Sequence, residues 1–404
     1  MSRASSFSPR RILPGSIVVS GTLAWFFLIQ YTITDMFESF SSNPFLEYVN
    51  APIFYSSAIF SAMLGVFVGG KVEKRNANRI FLFFWITLGV LSTILLIISQ
   101  QTIFTPFLSI LLGFSLGIGL PTSMASIADY SRVEERARVS GLTIFATFIL
   151  AISAMIAVEI FAVGLPTLIL LFAIVRSTSF LGLVLNKFDV KEKVREKLDK
   201  PSSKDFFFYI IPWMMFVLVG TLAWSLIPYQ FESAVSIGRI LRFICIAVFG
   251  IVTGFIADRL GRKPAIIIGL IVFGISFTIL GFSMSAPTVV IYLTASGVAW
   301  GSFFAMYLVI PGDLSATGSR EKFYAFLTIL PLILLGGIPY LPGVAEFTKY
   351  SSAFAHILSL ILFLSIIPVL RANETLPEPK MRERRLKEHV EKIGKLVSES
   401  KKKG

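Results

Sequence analysis

The 404-residue sequence contains a single cysteine, Cys245, and two histidines, His356 and His389. One thiol excludes an intrachain disulfide and any cysteine-based zinc cluster. Two histidines are too few for a His-rich catalytic metal site. No nucleophile–base constellation, phosphate-binding loop or soluble catalytic domain is legible. The chain is therefore read as a non-enzyme with neither cofactor nor metal. Charge is scarce too: Asp, Glu, Lys and Arg make up 15% of the residues, against about 25% in a soluble domain. What is present is apolar, with 55% hydrophobic residues and a mean hydropathy of +0.78. Such a chain belongs in a bilayer.

A hydrocarbon core of about 30 Å needs roughly 20 apolar residues per helix. Runs of that size recur at Ile12–Thr34, Tyr48–Gly70, Val139–Val158, Phe206–Phe231, Phe323–Ala345 and Tyr350–Leu370. Two longer runs, Ile80–Ala128 and Pro264–Gly312, each hold two spans, divided at Ser99–Thr102 and Ser283–Thr288. Ile160–Asn186 and Ser233–Ala257, which carry internal arginines, bring the expectation to twelve spans. The first run is too long for the apolar region of a cleavable signal peptide and lacks a small-residue cleavage site.

The formal charge is +13, and its distribution says more than its sum. With the N-terminus inside, 33 of the 37 Lys and Arg residues fall in the N-terminal segment, the loops after spans 2, 4, 6, 8 and 10, and the tail. The outer loops hold only Lys349, and the other three, Arg176, Arg239 and Arg242, lie within spans. This is the positive-inside pattern. It predicts a multi-pass protein of the cell membrane with both termini cytoplasmic. The basic balance then reflects topology and lipid contact, with no nucleic acid as partner.

The pentapeptide GTLAW occurs at Gly21–Trp25 and again at Gly220–Trp224, 199 positions later. Shifted by 185, Gly65, Gly69 and Glu73–Lys74 meet Gly250, Gly254 and Asp258–Arg259. Shifted by 184, Gly113, Gly117 and Asp129 meet Gly297, Gly301 and Asp313. Chance does not hold register over four spans. The chain reads as two parallel repeats of six spans each. It divides into an N-terminal half (1–187), a linker rich in both charge signs (188–204), a C-terminal half (205–371) and a basic tail (372–404). In the tail Leu386, Val390, Ile393 and Val397 recur at helical spacing among basic residues, which suits anionic lipid or a solvated tail equally.

At the inner end of span 8 stands GFIADRLGRKP, Gly254–Pro264. It resembles the G-x-x-x-D-R-x-G-R-[KR] loop signature of the major facilitator superfamily, matching at Gly254, Asp258, Arg259, Gly261, Arg262 and Lys263. Gly254 lets a neighbouring helix approach closely. Asp258 can pair with an Arg or a helix N-terminus, and Gly261 allows a tight turn. The resemblance implies an all-α membrane fold of twelve transmembrane helices in two six-helix pseudo-repeats. It also implies that this loop latches the cytoplasmic side. The equivalent loop after span 2, GGKVEKRNANR, has Glu73 for the Asp and no Gly–Arg pair, so the dominant latch is expected in the second half. The charged loops after spans 4 and 10, DYSRVEERARVSG and DLSATGSREK, are candidate partners.

The resemblance further implies a secondary transporter, expected to act as a monomer, whose spans 1, 4, 7 and 10 line a central cavity. That makes Trp25, Gln30, Tyr31, Trp224, Tyr229, Gln230 and Trp300 candidate substrate contacts. Arg176 and Arg242 join them, because intramembrane charge is expensive and usually functional. With no carboxylate before Asp258 in span 8, the interior is cationic and favours an anionic or polar solute. The 39 phenylalanines leave lipophilic drugs as an alternative substrate class, although span 5 lacks the Gly-Pro-Gly-Gly signature of the superfamily's drug antiporters. A non-transporting sensor is the remaining alternative. Glu159 and Arg239 stand at heights of roughly 31 and 28 Å on spans 5 and 8, where they would form an outer gate. Asp35, near the outer end of span 1, is the candidate for binding a coupling proton, with His356 behind it.

Overall fold

A computed structural model describes residues 9–40, 44–74, 78–98, 104–161, 164–185, 203–227, 231–316, 318–341 and 351–376. Twelve of its helices are long and apolar enough to cross a membrane. They are spans 1 (Arg11–Gln30), 2 (Val49–Gly69), 3 (Arg79–Ile97), 4 (Thr105–Tyr130), 5 (Arg136–Val158) and 6 (Leu165–Leu185) in one half. The other half holds spans 7 (Lys204–Leu222), 8 (Glu232–Leu260), 9 (Arg262–Phe282), 10 (Ala286–Leu314), 11 (Arg320–Tyr340) and 12 (Ser352–Arg371). No strand occurs among the described residues. The outer surface is apolar: Phe67 is 73% exposed and Phe282 79%. Such a surface faces lipid, where helices satisfy every backbone group internally.

Within each half the same pairs meet. Span 2 packs along span 4 as span 8 packs along span 10. Glycines make these approaches possible, since a Cβ on Gly301 would stand 2.6 Å from the Ile246 carbonyl oxygen. The halves join through span 5 against span 8 and span 2 against span 11, contacts related by the repeat.

The repeat also breaks where its sequence does. Span 1 belongs to a helix that continues unbroken from Pro9 to Phe40. Span 7 ends at Leu222 and turns into a 3-10 helix, Ala223–Leu226, with Ile227 extended (φ −89°, ψ 112°). The second copy reads SLIPYQ where the first reads FFLIQY. A residue before proline is pushed out of the helical region, so Pro228 stops what the first copy lets run. The helices of spans 4 and 10 are interrupted at Ile118–Gly119 and Leu308–Val309, just ahead of Pro121 and Pro311, where proline favours a break.

Candidate functional site

One end of the bundle gathers the charged loops. Asp258 accepts hydrogen bonds from the backbone N–H groups of Ala137 and Arg138 at 3.2 and 3.1 Å, and from Arg138 Nε at 2.9 Å. A carboxylate of the second half thus caps the first turn of span 5, where the helix dipole favours negative charge. Gly254 permits this, because a Cβ there would stand 2.5 Å from the Ala137 carbonyl oxygen. Gly261 sits at φ +110°, a conformation glycine adopts without penalty. It turns the chain so that Arg262 points back inside.

Arg262 is fully buried. It lies 3.1 Å from Asp258, donates to Asp313 Oδ2 at 3.2 Å, and donates to the Val133 carbonyl of the other half at 2.6 Å. Asp313 also accepts from Arg136, while Arg320 donates to Asp129 at 2.7 Å. The Arg136–Asp313 and Arg320–Asp129 pairs both cross from one half to the other. Arg259 is exposed, and Lys263 Nζ donates to the Leu370 and Ala372 carbonyls. Sequence reading missed one participant. Glu374 accepts from the backbone N–H groups of Arg262 and Lys263 at 2.8 and 3.1 Å, capping span 9. Beside it, Thr375 donates to Asp313 at 3.1 Å. Glu374 and Thr375, assigned to the tail from sequence, thus pack against the start of span 9 and Asp313.

Between the halves, beyond this sealed end, lies a cavity of about 550 Å³. Its lining reaches Gln30, Arg239, Pro339 and Tyr340 at the opposite end of the bundle. Among the expected contacts, Gln30, Arg242 and Trp300 line it. The Arg242 guanidinium carbon stands 5.7 Å from the Trp300 ring centroid, within cation–π range. Arg239, expected at an outer gate, also lines the cavity. Phe27, Phe148, Phe243 and Phe304, from spans 1, 5, 8 and 10, meet there as a cluster with ring centroids 4.9 to 6.0 Å apart. Sequence reading named none of these phenylalanines, because Phe is equally the filler of lipid-facing surfaces.

Two expected contacts lie elsewhere. Arg176 is fully buried inside the first half, its guanidinium 5.2 and 4.3 Å from the rings of Trp25 and Trp85, and it donates to Thr22. Trp25 is fully buried as well and donates from Nε1 to Thr93 at 2.9 Å. Neither is among the cavity-lining residues, so both are corrected from substrate contacts to packing inside the half. The expected depth of Arg176 left its helix face undetermined, and that face turns toward spans 1 and 3. The side chains of Tyr31, Asp35, Glu73, Glu159 and Trp224 lie outside the described residues, as do Tyr229, Gln230, most of the linker and the tail from 377.

This architecture has solved counterparts. Human organic anion transporter MFSD10 superposes with a TM-score of 0.67 at 12% identity, covering 90% of this chain and all of that one. The proton:xylose symporter XylE does so at 0.65 and 14%, covering 90% and 95%. The fold is that of the major facilitator superfamily. A bacterial homologue of the iron transporter ferroportin, solved in an outward-facing state, shares this superfamily fold at a TM-score of 0.63 and 17% identity, covering 91% and 100%. In sequence, the chain is 30% identical over 129 residues to an uncharacterised MFS-type transporter of Methanocaldococcus jannaschii. That match covers 30% of this chain and 32% of the relative, about a third of each. No family model matches.

Proposed function

We propose that this chain is a secondary transporter that moves a small organic anion across the cell membrane by alternating access. The observation that carries the reading is the cavity between the halves, whose lining includes Arg239 and Arg242 and, among the described residues, no Asp or Glu. Charge inside a membrane is costly and marks a solute pathway. Arginines facing an apolar chamber suit an anionic solute. The ion-pair network supports the conformational part, because it ties the two halves together at one end. A transporter needs two such discrete arrangements, with the substrate shifting their populations.

The basic loops support a reading in which the charged end and both termini face the cytoplasm. The chain works as a monomer, and Asp35 is the position proposed for a coupling proton. Uptake by proteoliposomes tests the whole reading. Organic anions should accumulate inside against neutral sugars as the control. Binding without flux would make the protein a sensor. Equal movement of neutral lipophilic compounds would replace the anion reading with drug efflux.

A further inference from the structure

We infer that Tyr324 is the positioning residue that couples the cavity to the cross-half ion pairs, and that this coupling runs through the second half alone. The inference rests on the alternating-access reading above and names the side chain that transmits it.

Span 10 consists of two helical pieces. The helix Ala286–Tyr307 stops at Leu308–Val309, and a short helix, Ile310–Leu314, follows. Above the break, Trp300, Phe304, Tyr307 and Leu308 line the cavity. Below it stands Asp313, which accepts from Arg136 of the first half and from Arg262. Residues at the ends of helical pieces are where a packed element absorbs backbone rotation. The cavity wall and the ion-paired carboxylate thus lie on one segment of chain with a hinge between them.

A side chain from span 11 holds that hinge. The Tyr324 hydroxyl donates to the Leu308 carbonyl at 2.6 Å, where the ladder of span 10 is interrupted. Leaving a buried carbonyl without a donor is costly, so the bond favours one angle between the two pieces. Tyr324 is fully buried. Its hydroxyl oxygen also lies beside the ion pairs. A Cβ on Gly312 would stand 3.0 Å from it, 2.5 Å from the Ala128 Cβ of the first half and 3.5 Å from Arg136 Cδ. The charges of Asp129, Arg136, Asp313 and Arg320 all act on this hydroxyl.

Span 11 makes the same connection along its own axis. Residues four apart share a helix face, and Arg320, Tyr324 and Thr328 are so spaced. Arg320 pairs with Asp129, Tyr324 holds the hinge, and Thr328 lines the cavity. One face of one helix therefore runs from the ion pairs to the cavity, with Tyr324 in the middle.

The first half is built differently at this point. The shift of 184 that relates Arg136 to Arg320 puts Ser140 in the place of Tyr324. Ser140 is fully buried too, but its hydroxyl has no hydrogen-bond partner among the described residues. The interruption of span 4 is met instead from span 3, where Trp85 Nε1 donates to the Ser115 carbonyl at 2.6 Å. Trp85 packs on Arg176 inside its own half. The repeat is thus unequal at the residue that joins cavity to ion pairs.

The test needs no ligand. In a Cys245→Ser background, Met124→Cys reports access from the cytoplasmic side in inside-out vesicles. Leu335→Cys reports access from outside in right-side-out vesicles, both with a charged maleimide. Both positions line the cavity. Asp313→Asn should raise the inner rate severalfold and lower the outer rate severalfold. Adding Tyr324→Phe keeps the ring and removes only the hydroxyl. It should leave the inner rise in place and shrink the outer fall to less than twofold. A side chain that merely packs would lower the thermal midpoint and leave both responses to Asp313→Asn unchanged. Ser140→Ala should likewise leave both responses as they are. If Tyr324→Phe does not fold, Gly312→Ala, which drives a methyl at the same oxygen, decides instead; it should raise the inner rate with no outer fall. An outer fall of full size with Tyr324→Phe or its substitute overturns the inference, and so does loss of the outer fall with Ser140→Ala. An outer rate that fails to fall in Asp313→Asn with Tyr324 still present refutes alternating access itself, and the inference with it.

Discussion

Arg320 reaches across the two halves to Asp129 at 2.7 Å, and Arg136 reaches the opposite way to Asp313. Asp129 and Asp313 are 184 positions apart, as are Arg136 and Arg320. Each half therefore carries one Asp and, seven residues later, one Arg, and each Arg pairs with the other half's Asp. All four side chains are buried. The exchange ties the halves at one end without tying either half to itself.

Asp313 accepts from Arg136, Arg262 and Thr375. Asp313→Asn removes one counter-charge from Arg136 and leaves Arg262 with Asp258, a loss of about 3–5 kcal/mol for the closed arrangement. In a Cys245→Ser background with Met124→Cys as the reporter in the cavity, a charged maleimide applied from the cytoplasmic side should react several-fold faster. An unchanged rate in folded protein would remove this network as the element that closes the end.

Gly254 offers an independent route to the same state. Its absent Cβ faces a backbone oxygen, that of Ala137, which has no side-chain freedom with which to retreat. Gly254→Leu should push span 5 from span 8 and raise the same labelling rate while Asp258 stays in place. If labelling stays at the level of the parent protein, the close approach is not needed for closure.

Arg176 should behave as a packing residue. Its guanidinium lies between Trp25 and Trp85 rather than in the cavity, and a desolvated cation–π contact is worth on the order of 2 kcal/mol. Arg176→Gln should lower the thermal midpoint by several degrees and leave KM for a transported anion within twofold. A tenfold rise in KM at an unchanged midpoint would return it to the substrate pathway.

Orientation can be read with impermeant labels. Leu341, at the far end of span 11, and Leu260, at the charged end of span 8, are both exposed. Leu341→Cys should label in intact cells and Leu260→Cys only after permeabilisation. The opposite result inverts the whole assignment of inside and outside.

Composition and order alone specify the spans, the two halves and the charged loops. Hydropathy and charge act residue by residue against a bilayer, so a count along the chain suffices to read them. The loop motif was legible for the same reason: Gly254, Asp258, Gly261 and Arg262 stand close together in sequence, although their partners at Ala137, Val133 and Asp313 do not. The rest needed the packed bundle. That Arg136 meets Asp313, that Glu374 caps span 9, and that Arg176 and Trp25 turn away from the cavity while Trp300 and four phenylalanines line it are statements about helix rotation. A soluble helix declares its inner face by contrast with a polar outer one. A helix that is apolar all round carries no such contrast. Which side looks inward is settled by side-chain fit against neighbours far away in the chain, such as Gly220 beneath the indole of Trp300.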